Sequence, residues 1–274
     1  MKPPRNTVIF VVPVLLVVIT FLFWYQTWFG RRLPDAEMAQ DLAETAAPHK
    51  TQHAIAQLSD RMARGDPTVK RWYPQLLALG QSKEPQLRLE AAWAMGQDNK
   101  SEEFHQMLRK LVDDPMPMVR RNAALALVRF GDGQGEPQLR AMLEPFTLTV
   151  SDSGTIKFRM KEHDDVRNGS IIARLRGGAG DQQRDVVSPV GGTIARLIAK
   201  EGTTVSVGDA VAVIDPDEAQ VMESLRALYL VGQPPDLRDV ERFALGMPNM
   251  SERVREQAQA TRQAISSRSS SGST

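Results

Sequence analysis

The chain has 274 residues, which is enough for about two domains. Its hydrophobic fraction of 42% and charged fraction of 24% are ordinary for a globular protein and exclude wholesale disorder. The formal net charge of +1 gives no reason to expect nucleic acid as a partner. Cysteine is absent, which excludes disulfides, thiolate zinc sites and cysteine nucleophiles.

The first clear pattern is an uncharged apolar segment, residues 8–29. As a helix these 22 residues are ~33 Å long, enough to cross a hydrocarbon core of ~30 Å. Trp24, Tyr25 and Trp28 stand near its end, as is typical of side chains at the lipid headgroup level. A cleaved signal peptide is the alternative, but no small-residue cleavage site follows. The sequence therefore predicts a basic tail (residues 1–7) and a transmembrane anchor over 8–29.

The charges that flank this segment are nearly balanced. Lys2 and Arg5 precede it, and Arg31 and Arg32 follow it. A short basic tail before a span usually stays in the cytoplasm. We therefore expect a single-pass protein of a bacterial-type inner membrane with its body on the extracytoplasmic side, with the cytoplasmic orientation left open.

A polar linker (residues 30–49) precedes a repeated helical pattern over residues 50–146. Residues 84–96 recur as 114–127, with an apolar residue, an arginine and then Ala-Ala-x-Ala in each copy. The two arginines, Arg88 and Arg120, are 32 positions apart, and a second amphipathic helix lies between the copies. Paired helices at this period are the signature of an α-solenoid, here with three pairs.

This arginine–alanine core resembles HEAT repeats, in particular the short type described in phycobilisome lyases. The resemblance implies a protein-binding scaffold more than it implies lyase activity. For Arg88 and Arg120 we favour contacts with the neighbouring repeat over a ligand-binding role. Two features could contact a partner, an aromatic cluster that could equally be core and an amide-rich loop that could equally be a turn. The candidate contact residues are the three aromatics and three loop residues of these features, together with Arg121: Trp72, Tyr73, Trp93, Gln97, Asp98, Asn99 and Arg121.

Over residues 148–215 the hydrophobic period changes to two, as in β-strands. The segment repeats internally, because residues 154–156 match 192–194 and residues 161–169 match 200–208. Short strands that occur twice in this way predict a small quasi-symmetric β sandwich.

The Ser-Pro-Val-Gly-Gly-Thr-Ile motif at residues 188–194, with the Lys-Glu-Gly motif after it, resembles the biotinyl/lipoyl barrel-sandwich hybrid. It also resembles the half-motifs of membrane-fusion proteins of secretion and efflux systems. The first family implies a lysine at the tip of the central hairpin, but no lysine occurs between Lys161 and Lys200. A carrier of biotin or lipoate is therefore not expected. The hairpin is also too short for the long α-hairpin of membrane-fusion proteins.

Helical periodicity returns over residues 217–265, and residues 254–258 echo residues 119–123. These helices could continue the HEAT-like part, which would make the β module an insertion, or they could be unrelated helices on the β domain. Residues 266–274 are polar and of low complexity and predict a disordered tail.

The predicted fold class is multidomain α + β: a transmembrane helix, an α-solenoid of HEAT-like pairs, a lipoyl-like barrel-sandwich hybrid and further C-terminal helices. We found no catalytic, phosphate-binding or metal-ligand motif, so no cofactor or metal is expected. The predicted function is a membrane-anchored, non-enzymatic scaffold that binds other proteins of a membrane complex, contacts the bilayer through its N-terminal helix and binds no nucleic acid. The alternative is a short membrane-fusion-like adaptor of an export or efflux transporter, and a remote one is a bilin-lyase-type enzyme.

Overall fold

The structure of the protein is a computed structural model. It describes residues 14–21, 32–44, 47–177, 183–247 and 249–271. The predicted basic tail, most of the predicted anchor and the tip of the central hairpin lie outside these residues.

The predicted transmembrane anchor requires correction. Within residues 8–29, the described part is a helix over residues 14–21. Among the described residues no helix combines the length and the apolar character needed to cross a membrane. This finding overturns the predicted transmembrane helix of the fold class and the predicted localisation as a single-pass membrane protein. The described fold mixes helices with two antiparallel sheets.

The helices before the β module mostly start with proline in the first turn, where its missing amide sacrifices no hydrogen bond. Ser101 caps one of the others, because its Oγ accepts a hydrogen bond of 3.3 Å from the Phe104 amide. Glu84, the residue before α4, makes no capping hydrogen bond. These helices are α1 (Asp35–Ala43), α2 (Pro48–Ala63), α3 (Tyr73–Leu79), α4 (Pro85–Met95), α5 (Glu102–Leu111), α6 (Pro117–Val128) and α7 (Glu136–Ala141).

Two segments that were predicted without helix, the polar linker and the C-terminal tail, contain helix in the structure. Helix α1 lies inside the predicted linker, so ordered structure begins before residue 50. After the β module come α8 (Glu218–Val231), α9 (Leu237–Ala244) and α10 (Glu252–Ser271). Residues 266–271 are thus helical, although their composition predicts disorder. Arg268 fastens this end of α10, because its guanidinium donates hydrogen bonds to three carbonyls at the end of α8, those of Leu228, Tyr229 and Gly232.

The helices form a row in which α2, α4, α6, α8 and α10 each contact the next member. Small side chains allow this close approach. Ala91 and Ala92 of α4 and Ala123 and Ala124 of α6 are fully buried between neighbouring helices. The helices on both sides of the β module share one hydrophobic core, and the Ser224 hydroxyl donates a 2.6 Å hydrogen bond to the Leu139 carbonyl across that boundary. We call this whole body the helical array.

The β module consists of two four-stranded antiparallel sheets. One has the order β1-β8-β6-β3 and the other β5-β4-β2-β7, so exchanging the two halves of the module converts one order into the other. Its core is separate from that of the array, and Phe146 pairs with Ile214, which brings the two ends of the module together. The strands are β1 (Phe146–Thr149), β2 (Gly154–Phe158), β3 (Asp165–Val166), β4 (Ile171–Arg176), β5 (Gln183–Val187), β6 (Gly192–Leu197), β7 (Thr204–Val205) and β8 (Ala210–Asp215).

Candidate protein-binding groove

A groove of about 360 Å³ crosses the outer faces of α4, α6 and α8. Trp93 of α4 stands at one side of it and is 52% exposed, and Leu230 of α8 stands at the other and is 61% exposed. Leu125 and Ala126 of α6 form the floor between them. Three consecutive members of the helix row therefore build one surface with large apolar side chains open to solvent. We refer to it as the groove.

Charged side chains line the groove beside these apolar ones. Arg129 donates a 3.1 Å hydrogen bond from Nη1 to the Gln97 side-chain oxygen. Arg226 forms no ion pair within the described part of the chain. Partial loss of solvent and the negative charge of Asp217 raise the pKa of Glu223, and Arg226 opposes that rise only in part. The groove thus contains two guanidinium groups and one carboxylate.

The repeated arginines lie outside the groove and link successive repeats. Arg88 forms a two-pronged ion pair with Asp114, with Nε to Oδ2 at 2.6 Å and Nη2 to Oδ1 at 2.9 Å. Arg120 donates to the carbonyls of Asp114 and Pro115 and to the side chain of Gln138. Both arginines therefore have the contacts with neighbouring helix ends that we favoured from the sequence.

Two of the three candidate aromatic residues belong to the core. Trp72 is buried, and the guanidinium carbon of Arg71 lies 4.3 Å from the centroid of its ring. Tyr73 is buried as well and donates a 2.6 Å hydrogen bond from its hydroxyl to Asp98. Burial, together with this hydrogen bond, raises the pKa of Tyr73. Neither ring is available to a partner in this arrangement.

The amide-rich loop is divided between the groove and the fold. Gln97 lines the groove, where it accepts the hydrogen bond from Arg129. Asn99 donates a 2.8 Å hydrogen bond from Nδ2 to the Arg129 carbonyl, which ties the loop to the next repeat. Asp98 accepts hydrogen bonds from Tyr73 and from the Lys100 amide, and these hold the turn.

Arg121 lies between two helices and is only 6% exposed. Its Nη1 donates a 2.5 Å hydrogen bond to Oε1 of Gln220, which connects α6 to α8 across the β module. Burial, and then the like charge of Arg120, lowers the pKa of Arg121 to about 10.

The groove thus brings together Trp93 and Gln97 of the predicted set with residues that the sequence reasoning missed. The repeat itself could have identified two of these, because Leu125 and Arg129 stand 32 positions after Trp93 and Gln97, the same spacing as the repeated arginines. The groove residues on α8 have no such counterpart in the repeat. The groove residues that the sequence reasoning missed are Leu125, Arg129, Glu223, Arg226 and Leu230.

Comparison with known protein families identifies one segment of the helical array. The family model for HEAT repeats matches residues 73–152. This segment carries HEAT repeats. The match covers α3 to α7, and with them two of the three helices that build the groove, and it ends within the first turn of the β module.

Other comparisons add little to this result. No curated protein matches the chain. A solved single-chain, multi-domain long-chain acyl-CoA carboxylase aligns at 18% identity over 45% of this chain and 14% of its own, with a TM-score of 0.25. The chain thus spans about a seventh of that structure's length, and so low a score carries no argument about fold or function. In the described part of the chain, no three His, Asp or Glu side chains are placed to hold a metal ion.

Proposed function

We propose that this protein is a non-enzymatic scaffold that binds a segment of another protein in the groove of its helical array. The observation that carries the proposal is the groove itself, which crosses three consecutive helices and exposes Trp93 and Leu230 to solvent. Exposed apolar patches on folded proteins commonly mark interaction surfaces, and tryptophan is enriched among the residues that dominate binding energy. HEAT repeats generally mediate contacts between proteins, and the match to them includes α4 and α6.

In this proposal the β module offers a second surface for binding other proteins. We regard it as a lipoyl-like sandwich that carries no prosthetic group. Its matching sheet orders support the likeness, and the lack of any lysine between Lys161 and Lys200 leaves no amine in the central hairpin to acylate. Intact-mass measurement after incubation with biotin and lipoate ligases should show unmodified protein. An added mass on this hairpin would contradict the proposal for the module.

The groove is tested by selection from a displayed library of random peptides against the full chain. Peptides should be enriched on the wild-type protein, and Trp93→Ala and Leu230→Ala should each weaken their binding about tenfold or more, as for residues at the centre of an interface. The matched control is Leu245→Ala, because Leu245 is 75% exposed on the array and lies outside the groove. Circular dichroism checks that each variant is folded.

The selection overturns the proposal in either of two ways. Enriched peptides whose binding is unchanged by Trp93→Ala and Leu230→Ala would place the binding surface elsewhere. Failure to enrich any peptide above the level obtained with the doubly substituted Trp93→Ala, Leu230→Ala protein would remove the groove as a peptide-binding surface.

A further inference from the structure

We propose that the groove recognises an acidic protein segment, in which a carboxylate stands beside a large apolar side chain. This inference rests on the proposed function and names the chemistry of the partner. Its starting point is that the groove combines an open apolar seat with two guanidiniums, those of Arg129 and Arg226, that form no ion pair with a carboxylate of the described residues.

The apolar seat depends on a close approach of two helices. Gly96 ends α4 beside α6, and a side chain there would bring its Cβ to 2.9 Å from the Cβ of Ala126. Because Gly96 has no side chain, α4 and α6 approach closely here, and Ala126 lines the groove together with Trp93 and Leu230. A seat of this kind suits one large apolar side chain of a bound segment, because its burial removes apolar surface of both molecules from water.

The arginines of the array fall into two groups. Arg88 and Arg109 pair with carboxylates, those of Asp114 and Asp132, whereas Arg120 and Arg121 donate to neutral acceptors. The groove arginines belong to the second group, because Arg129 donates to the neutral side chain of Gln97 and Arg226 forms no ion pair with a described carboxylate, although Glu223 lies near enough to attract it.

Neither of these two guanidiniums is hydrogen-bonded to a described carboxylate, so a carboxylate of the partner can bind them. Guanidinium binds carboxylate through paired, charge-assisted hydrogen bonds, which are stronger than bonds between neutral groups. Arg226 and Leu230 are four residues apart on α8 and so share one face of the helix. A partner that places its apolar side chain against Leu230 can therefore present a neighbouring carboxylate to Arg226.

The third charge in the groove limits how many acidic groups it accepts. Glu223 lies on the same face of α8, one turn before Arg226. Its negative charge repels a carboxylate at that end of the groove. We therefore expect the acidic group of the partner on the side of Arg129 and Arg226, away from Glu223. The same charge disfavours a continuous run of phosphates such as an RNA strand.

The test uses three sets of short fluorescent peptides with a fixed Leu-Phe pair, flanked by glutamate, by glutamine or by lysine. Binding to the full chain is measured by fluorescence anisotropy. We expect the glutamate set to bind about tenfold more tightly than the glutamine set, as for a hydrogen bond to a charged group. Arg226→Gln should remove most of this preference, measured as the ratio of the glutamate-set and glutamine-set affinities within the variant, and Glu223→Gln should strengthen binding of the glutamate set.

Arg238→Gln is the matched control, because Arg238 is an exposed arginine of the same array outside the groove. It should leave all three affinities unchanged. A single-stranded RNA oligonucleotide serves as a further probe, and we expect no binding that depends on Arg226.

The remaining outcomes separate this inference from the proposed function. Equal binding of the glutamate and glutamine sets, with loss of both in Trp93→Ala, would overturn the acidic preference and leave the groove as a peptide-binding surface. Preference for lysine would do the same. Binding of no peptide set, or RNA binding lost in Arg226→Gln, would overturn the inference, and the library selection would then decide separately on the proposed function.

Discussion

Glu162 and Glu201 perform the same task in opposite halves of the β module. The carboxylate of Glu201 accepts a 2.9 Å hydrogen bond from the Phe158 amide, and that of Glu162 accepts a 2.9 Å hydrogen bond from the Leu197 amide. Each glutamate thus crosses to the half that does not contain it. The internal repeat of the sequence is therefore expressed in the structure as an exchange of contacts that joins the two halves.

This exchange predicts two matched losses of stability. Glu201→Ala and Glu162→Ala should each destabilise the β module by about 1 kcal/mol, because each removes the acceptor of one backbone amide. Amide hydrogen exchange should become faster at Phe158 in the first variant and at Leu197 in the second. Glu201→Gln is the control, because it keeps an acceptor oxygen. Unchanged exchange at both amides would show that water replaces the carboxylates at no cost.

The two halves differ at one turn, which gives a stabilising substitution. His163 has φ of 72° where the other half has Gly202 with φ of 76°. Side chains disfavour this left-handed conformation by about 1–2 kcal/mol, whereas glycine adopts it freely. Because glycine also loses more chain entropy on folding, His163→Gly should stabilise the module by about 0.5–1 kcal/mol. Hydrogen exchange of the buried Ile156 and Ile194 amides measures this effect.

The reverse substitution supplies the control for that prediction. Gly202→Ala forces a side chain into the same conformation and should destabilise the module by about 1 kcal/mol. A destabilised His163→Gly protein would mean that the imidazole makes a contribution larger than the strain of its turn.

The repeats of the helical array and of the β module can be recognised in the sequence, but the complete groove cannot. The 32-residue offset was sufficient to align α4 with α6, and hence Trp93 with Leu125, because these helices are close along the chain. The contribution of α8 depends on its packing against α6 after the whole β module has intervened, which short-range periodicity does not encode. Sequence reasoning therefore recognised one side of the groove and missed Arg226 and Leu230.

Burial was the second property that the sequence could not provide. Arg121 is among the candidate contact residues of the sequence, but the structure buries it. Its hydrogen-bond partner, Gln220, lies 99 residues further along the chain, so nothing local predicts that the guanidinium is enclosed. The sequence also left open whether Trp72 and Tyr73 are buried or exposed, since an aromatic pair of this kind fits a core and a contact patch equally well.

The Arg88–Asp114 ion pair predicts a large loss of stability in the array. Both side chains are largely buried, with 12% and 5% exposed, so Arg88→Ala would leave the Asp114 carboxylate without its cation. Breaking a buried pair in this way costs about 3–5 kcal/mol, and the partial exposure of Arg88 favours the lower end. Urea denaturation followed by tryptophan fluorescence reports the array, because none of the tryptophans lies in the β module.

The matched control is an exposed ion pair of the same kind. Arg255 pairs with Glu252 on the surface of α10, and Arg255→Ala should cost less than about 1 kcal/mol. The Arg88 pair should also weaken in acid. Burial acts to raise the pKa of Asp114, but the hydrogen bonds from Arg88 and the Met116 amide bring it below its usual value. The stability from this pair is therefore present at neutral pH and lost as the pH falls through that lowered pKa. Equal losses of stability in Arg88→Ala and Arg255→Ala would contradict the prediction that the buried ion pair contributes more than the exposed one.

A carboxyl pair between α7 and the turn before α9 predicts the opposite pH dependence. Asp236 is fully buried, and the carboxyl group of Glu136 lies near enough to interact with its charge. Burial, and then the negative charge of Asp236, raises the pKa of Glu136 to about 7, against the opposing charge of Arg140. The folded protein thus binds a proton that the unfolded chain releases at lower pH. Its contribution to stability is complete below the pKa of the unfolded chain and is lost as the pH rises through about 7.

Glu136→Gln should remove this loss, because the neutral amide cannot ionise next to Asp236. Between acidic pH and pH ~8, we expect the free energy of unfolding of the wild type to fall by about 1–2 kcal/mol relative to that of the variant. This value already allows for solvent screening, because Glu136 is partly exposed. Urea denaturation at a series of pH values measures the difference. Glu144→Gln is the control, because Glu144 is exposed at the end of the same helical pair. A constant difference in the free energy of unfolding between wild type and Glu136→Gln at every pH would show that folding does not raise the pKa of Glu136.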